Sequence, residues 1–234
     1  PPPRSTLFPY TTLFRSQYTV LELNESIGLV YTNVFHHIQK TGEIIKIEPR
    51  YAKVREDIIP LMLKSKFIEF ATTLFRKNIL NNVIEILRKE LENAIIGDTR
   101  ILLETAQNTE IYFLNEITTV YRILDGSASH PKEIDKYIFA LNDSYFCRKT
   151  FVKRNNLNTQ WLSDSICNTN RGLINNAFVS NKYRNTLKLL KNILIYDTIK
   201  YCSWMVFRRK ITIEIWIKFF LSLVGVGVLR QKLS

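Results

Sequence analysis

The stretch Ile27-Gly28-Leu29-Val30-Tyr31-Thr32-Asn33-Val34-Phe35 decides the fold. It is rich in Val, Ile, Tyr and Phe and follows the turn signal Asn24-Glu25-Ser26, so it reads as a strand. Gln17 to Leu23 before it reads as the end of a helix. After it, Lys40-Thr41-Gly42 is a turn, and Glu43 to Ile47 pairs back as a second strand. Asp57 to Lys64 reads as a short helix with Pro60 in its first turn, and Phe67 to Phe75 as another strand. Asn78 to Glu92 carries Ile79, Val83, Ile86 and Leu87 on one helical stripe. A further helix opens after Gly97 with Asp98 and has Ile101, Leu102 and Ala106 on its apolar face. Ile111 to Leu124 is a long β-type segment interrupted by Asn115 and Glu116. Strands, a hairpin and helices in this order make an α/β domain.

Beyond residue 131 the β signals stop. Ile134 to Lys153, Trp161 to Val179, Arg184 to Ile193 and Thr198 to Arg209 have helical periodicity, with Asn-rich loops such as Asn155 to Asn158 between them. In the last segment, Ile211 to Leu229, the polar residues Lys210, Glu214, Lys218 and Ser222 recur at every fourth position and draw one polar line on an apolar helix. Its longest uncharged run, Phe219 to Leu229, is too short to span a bilayer. Two readings stay open for it: a helix packed on the body, or an interfacial membrane helix supported by Arg208, Arg209 and Lys210.

Charge divides at the same place. The chain of 234 residues carries a formal net charge of +12. Residues 1–130 hold 15 Lys+Arg against 15 Asp+Glu, and residues 131–234 hold 18 against 6. Such a change of regime marks a boundary between two units. The apolar fraction of 46% is enough for a real core, which excludes a disordered tail. Cys147, Cys167 and Cys202 are odd in number and fit no zinc or disulfide spacing, so they read as small buried hydrophobes of a reducing compartment. His36-His37 lies on a strand, where successive rings point to opposite faces and cannot chelate one ion. With only 7 glycines the chain has no Walker or Rossmann glycine cluster.

Thr6 to Ser16, Thr-Leu-Phe-Pro-Tyr-Thr-Thr-Leu-Phe-Arg-Ser, resembles the in-frame translation of a sequencing-library adapter at every codon. Residues 1–16 are therefore expected to be artefactual and disordered, and the native sequence before Gln17 to be missing.

The segments Asn24-Glu-Ser-Ile-Gly-Leu-Val-Tyr-Thr-Asn33, Lys40-Thr-Gly-Glu-Ile-Ile45 and Phe67 to Lys77 resemble the middle of family 2 glycosyltransferases. Ile117-Thr-Thr-Val-Tyr-Arg122 and Gly126-Ser-Ala-Ser-His130 resemble the bacterial subgroup whose catalytic domain ends in a Val-Tyr-Arg strand and a Ser-x-Ser-His turn. The likeness covers roughly residues 17 to 155. It implies a GT-A-type nucleotide-sugar fold, of which 17–130 would be the C-terminal part, followed by a basic helical tail at 131–234. The implied activity is inverting transfer of a sugar from a nucleotide-sugar donor to a hydroxyl of a glycan or lipid-linked acceptor, in surface polysaccharide synthesis. Separately from the resemblance, the basic tail reads as a membrane-surface anchor through residues 207–234, so the expected place is the cytoplasm or, peripherally, the inner face of the cell membrane.

The family holds a divalent cation, Mg or Mn, through an aspartate pair flanking one residue. The seven aspartates here, at 57, 98, 125, 135, 143, 164 and 197, make no such pair, so no cation is expected to bind this chain and the chain alone is expected to be inactive. Asp98 matches the aspartate opening the family's Asp-x-x-Leu-Trp-Leu-x-x-Ala helix, which implies a general base. From the residues alone it reads equally as a helix cap or first-turn acid. Gly97 stands where many members have an acid, and Leu102 where the family usually has tryptophan. Tyr121, Arg122, Ser127, Ser129 and His130 are the implied donor and acceptor contacts. A structural ion pair of Arg122 with Asp125, and a loop or core role for His130, remain open. No metal ligand is assigned. A basic helical module for nucleic acid is the alternative class, disfavoured because its Lys and Arg are spread among apolar positions without a motif.

Overall fold

The computed structural model describes residues 8–47, 58–64, 68–94, 96–124, 126, 131, 133–180 and 182–224. The chain divides into two compact units, one of residues 1–62 and 66–127, the other of residues 63–65 and 128–234.

The first unit is mixed α/β around an open, mixed sheet. Its central strand β1 (Ile27–Ile38) is buried continuously from Ile27 to Val34. Antiparallel β2 (Glu43–Lys46) pairs with the second half of β1, from Phe35 to Ile38, through a turn in which Gly42 has φ of 73°. Antiparallel β3 (Thr73–Phe75) pairs with Leu29 to Tyr31. The other edge of β1 takes the parallel strand β4 (Glu110–Ile123) along its whole length. A parallel neighbour needs a crossover, and α2 (Ile58–Lys64), α3 (Lys77–Leu91) and α4 (Gly97–Asn108) lie in it.

The interruption at Asn115 and Glu116 is real: Thr32 pairs with Leu114 and Asn33 with Ile117, leaving those two residues out of register. The irregularity is held from both strands. Asn33 Nδ2 donates to Asn115 Oδ1 at 2.8 Å, and the Thr32 and Thr118 hydroxyls share a hydrogen bond.

Helix α1 (Phe8–Leu23) packs Leu21 against Ile27 and Val30, with Val20, Leu74 and Leu114 around them. It begins inside the adapter-like segment, at Phe8. Buried Gln17 donates to the carbonyls of Val30 (3.3 Å) and Thr72 (2.9 Å). Arg76 clamps the turn into β1, with Nε on Ile27 O at 3.1 Å and Nη2 on Asn24 O at 3.2 Å and on Leu21 O.

The expected strand Phe67 to Phe75 is mostly not one; Phe67 lies outside the described residues. Phe70–Thr72 form a 3-10 turn, because Thr72 Oγ1 donates to Glu69 O (2.8 Å) and Thr73 Oγ1 to Phe70 O (2.7 Å), and these local bonds compete with a ladder. In α3, Val83 and Leu87 are buried as expected, while Ile86 faces solvent.

The second unit is helical. Helix α6 (Leu162–Val179) is its axis, and α5 (Ile134–Arg154), α7 (Tyr183–Lys191), α8 (Ile195–Tyr201), α9 (Trp204–Lys210) and α10 (Ile213–Leu223) pack on it. Ile138, Leu173, Ala177 and Leu189 form one core; Ile174, Ile211 and Ile215 form another. The expected helix Thr198 to Arg209 is two helices. Cys202 between them has extended backbone and is buried with its Sγ 3.9 Å from Ser163 O.

One buried carboxylate ties α5 to α8. Tyr145 donates to Asp197 Oδ2 at 2.7 Å, and Lys149 Nζ to Oδ1 at 2.8 Å and Oδ2 at 2.6 Å. Burial works to raise the Asp197 pKa, but the hydrogen bonds from Lys149 and Tyr145 outweigh it and hold the carboxyl below the usual range.

Two predictions follow from this packing. A Cβ at Gly28 would sit 2.4 Å from Thr109 Cγ2 and 2.9 Å from its Cβ, and Thr109 is pinned by its hydroxyl on Ser26 O. Gly28→Ala should therefore cost about 1–3 kcal/mol in urea unfolding of the first unit. The depressed Asp197 pKa contributes stability above the unfolded carboxyl value of about 4, lost as pH falls through the lower folded value. The urea midpoint of the helical unit should drop on acidification below pH of about 4, and Asp197→Asn should flatten that part of the profile.

Candidate functional site

In parallel sheets, ligands bind beyond the carboxyl ends of the strands. β1 and β4 end together, with His36 opposite Tyr121 and His37 opposite Arg122. The side chains alternate across the sheet. On one face the His36 and Tyr121 rings meet at 5.5 Å between centroids, and His36 Nε2 lies 3.8 Å from Glu69 Oε1. Thr119, on the same side as Tyr121, donates to Ala71 O at 3.4 Å. The 3-10 turn after Glu69 thus covers this face. Arg122 is exposed and belongs to the other face, so Tyr121 and Arg122 cannot close on one ligand group from the same side.

Asp98 stands in the first turn of α4, half-buried. It is not the cap: Ile96 holds that position and makes no side-chain cap bond. Its Oδ1 accepts from Thr99 N at 2.7 Å and from Thr99 Oγ1 at 3.5 Å. Among the described residues Oδ2 has no hydrogen-bond or ion-pair partner, and nothing joins Asp98 to Tyr121 or Arg122. The carboxylate is held at a fixed place, with one oxygen open to accept a proton.

Arg100 fixes the turn that presents Asp98, and sequence reasoning passed over it. Its Nη1 donates to Ile96 O at 2.6 Å, and its Nε lies 3.8 Å from Glu90 Oε2 on α3. A cation two residues after an acid at a helix start gave no signal in one dimension, because its partner Glu90 is on another helix. His36 and Glu69 were missed for the same reason. The departures from the family pattern can also be placed. A Cβ at Gly97 would meet only Leu91 Cδ2, at an ordinary 3.5 Å, so a larger residue there would fit. Leu102 is buried in the body of the unit.

Ser127, Ser129 and His130 lie outside the described residues, as does Asp125. The described residues contain no group of three or more His, Cys, Asp or Glu that could hold a metal ion. His36 and His37 alternate along β1 and do not form a chelating pair. Comparison with protein-family models, with curated proteins and with solved structures found no match to this chain.

Removing the Arg100 clamp tests how Asp98 is held. Arg100→Ala should leave the Ile96 carbonyl and Glu90 without this partner, at a cost of about 1–3 kcal/mol. Amide exchange at Thr99 and Arg100 should speed up at least tenfold, while β1 amides change by less than the loss in overall stability implies.

Proposed function

We propose that the first unit is the acceptor-side part of an inverting, family 2 glycosyltransferase with a GT-A-type fold. The observation that carries this reading is the Asp98 carboxylate, set in the first turn of α4 with one oxygen anchored by Thr99 and the other open. The sequence likeness to the family at 17–155, and a sheet whose central strand has a parallel and two antiparallel neighbours, support it. In the reaction, Asp98 accepts the proton of the acceptor hydroxyl as that oxygen attacks the anomeric carbon. The bond to the nucleoside diphosphate breaks, and the diphosphate leaves with the electron pair. Proton removal of this kind is worth about 10² to 10⁴ in rate. Arg122, exposed at the strand end, supplies a cation for charge-assisted contact with phosphate or sugar oxygens. Tyr121 and His36 supply a half-buried aromatic wall on the opposite face. Donor binding belongs, on this reading, to sequence preceding Gln17, and the 234-residue chain alone should not turn over nucleotide sugars.

Joined to its upstream coding sequence, the enzyme should release nucleoside diphosphate in an acceptor-dependent way. Asp98→Asn should lower kcat by about 10² to 10⁴ with the donor KM within about threefold. An unchanged kcat in that variant, or turnover of a nucleotide sugar by the 234-residue chain alone, would overturn the reading.

A further inference from the structure

Helix α10 is apolar on two sides: Ile215 is buried in the core with Trp216 and Phe219 packed beside it, while a second apolar stripe lies open. Of its polar line, Glu214 is exposed and the other members turn toward protein. Lys210 just before it contacts Asp164 and donates to Ser163 Oγ at 3.1 Å, and its carbonyl accepts from Arg171. Lys218 reaches Asn175 Oδ1 at 3.3 Å while pairing with Glu214, and Ser222 is only 3% exposed. The opposite stripe, spaced by three and four residues, is apolar and open: Ile213 is 79% exposed, Ile217 53%, Phe220 60% and Val224 72%.

The neighbouring helices continue this surface. Ile195 and Ile199 of α8 and Trp204 and Met205 of α9 are all more than half exposed. Two hollows, of about 710 and 910 Å³, open on it and share Trp204, Ile211 and Trp216 in their walls. The larger is flanked by Arg208 and Arg209, both exposed and without an ion pair among the described residues. No helix among the described residues is long and apolar enough to cross a membrane.

We propose that α8, α9 and α10 form a docking face for the surface of an anionic lipid bilayer. The occupant follows from charge. An open apolar stripe with tryptophans in it and arginines beside it matches the interfacial layer of a membrane, where tryptophan rings settle and each nearby Lys or Arg gains about 1 kcal/mol from anionic headgroups. A second copy fits less well, because a two-fold contact through this face would bring Arg208 and Arg209 of both copies into one interface, in a unit already rich in cations. This inference is independent of the glycosyltransferase reading, since neither donor nor acceptor takes part.

The test is sedimentation of the 234-residue chain with vesicles of phosphatidylglycerol and phosphatidylcholine, and with vesicles of phosphatidylcholine alone. Binding should be confined largely to the anionic vesicles and weaken with salt. It should fall at least about tenfold both in Arg208→Glu/Arg209→Glu and in Ile217→Glu/Phe220→Glu. These sites are exposed, so circular dichroism and melting should match the unaltered chain and show that the variants fold. Equal partitioning of all three proteins would overturn the proposal. So would a dimer by light scattering, or retention of duplex DNA, in the absence of vesicle binding.

Discussion

Everything in the first unit hangs on one strand. β1 supplies the pairing edge for every other described strand, and from Ile27 to Val34 it is buried without a break. A strand closed on both edges and covered on both faces has one register, since a slip by one residue would exchange every side chain between faces. Gly28 permits the close approach of Thr109 where β4 begins, and the Asn33–Asn115 bond fixes the irregularity midway. The parallel partner then places Tyr121 beside His36, and Arg122 on the other side of the sheet. The crossover that a parallel partner requires is also what carries α4, and with it Asp98.

The helical unit is governed by a shortage of acids. Of the six acidic residues beyond 130, Glu133, Asp135, Asp164, Asp197 and Glu214 are in ion pairs with lysines, the most buried being Lys149 with Asp197. Eighteen cations cannot be neutralised by six acids, so surplus charge must face outward. Lys210 at the end of α9 turns inward to Asp164 and Lys218 of α10 to Asn175, while Ile213, Ile217 and Phe220 stay outward.

Much of this was legible in one dimension. The strand at Ile27, the hairpin through Gly42, the helices at 77–91 and 97–108 and the break at Asn115-Glu116 are local signals, and the structure keeps them. The contacts divide the chain into one unit of residues 1–62 and 66–127 and another of residues 63–65 and 128–234, and the charge count changes at residue 130. What was not legible depended on partners distant in sequence. Cys202 breaks a helical run because a core site draws it in, and Thr72 and Thr73 close a turn where β-type residues suggested a strand. Of the candidate site, Asp98 was singled out by position alone, while the Glu90–Arg100 pair that holds its turn and the His36–Glu69 approach join separate elements. The polar line of α10 was readable; that Lys218 turns inward while Glu214 stays exposed was not, because the partner Asn175 is on α6.

The most direct measurement is the genomic sequence upstream of the codon for Gln17, read from template free of sequencing adapter. A continuous open frame encoding a nucleotide-binding strand and an Asp-x-Asp motif just ahead of α1 is the expected result. A stop codon in frame close before Gln17, or an upstream frame with no such motif, would contradict the assignment of Asp98 to a glycosyltransferase.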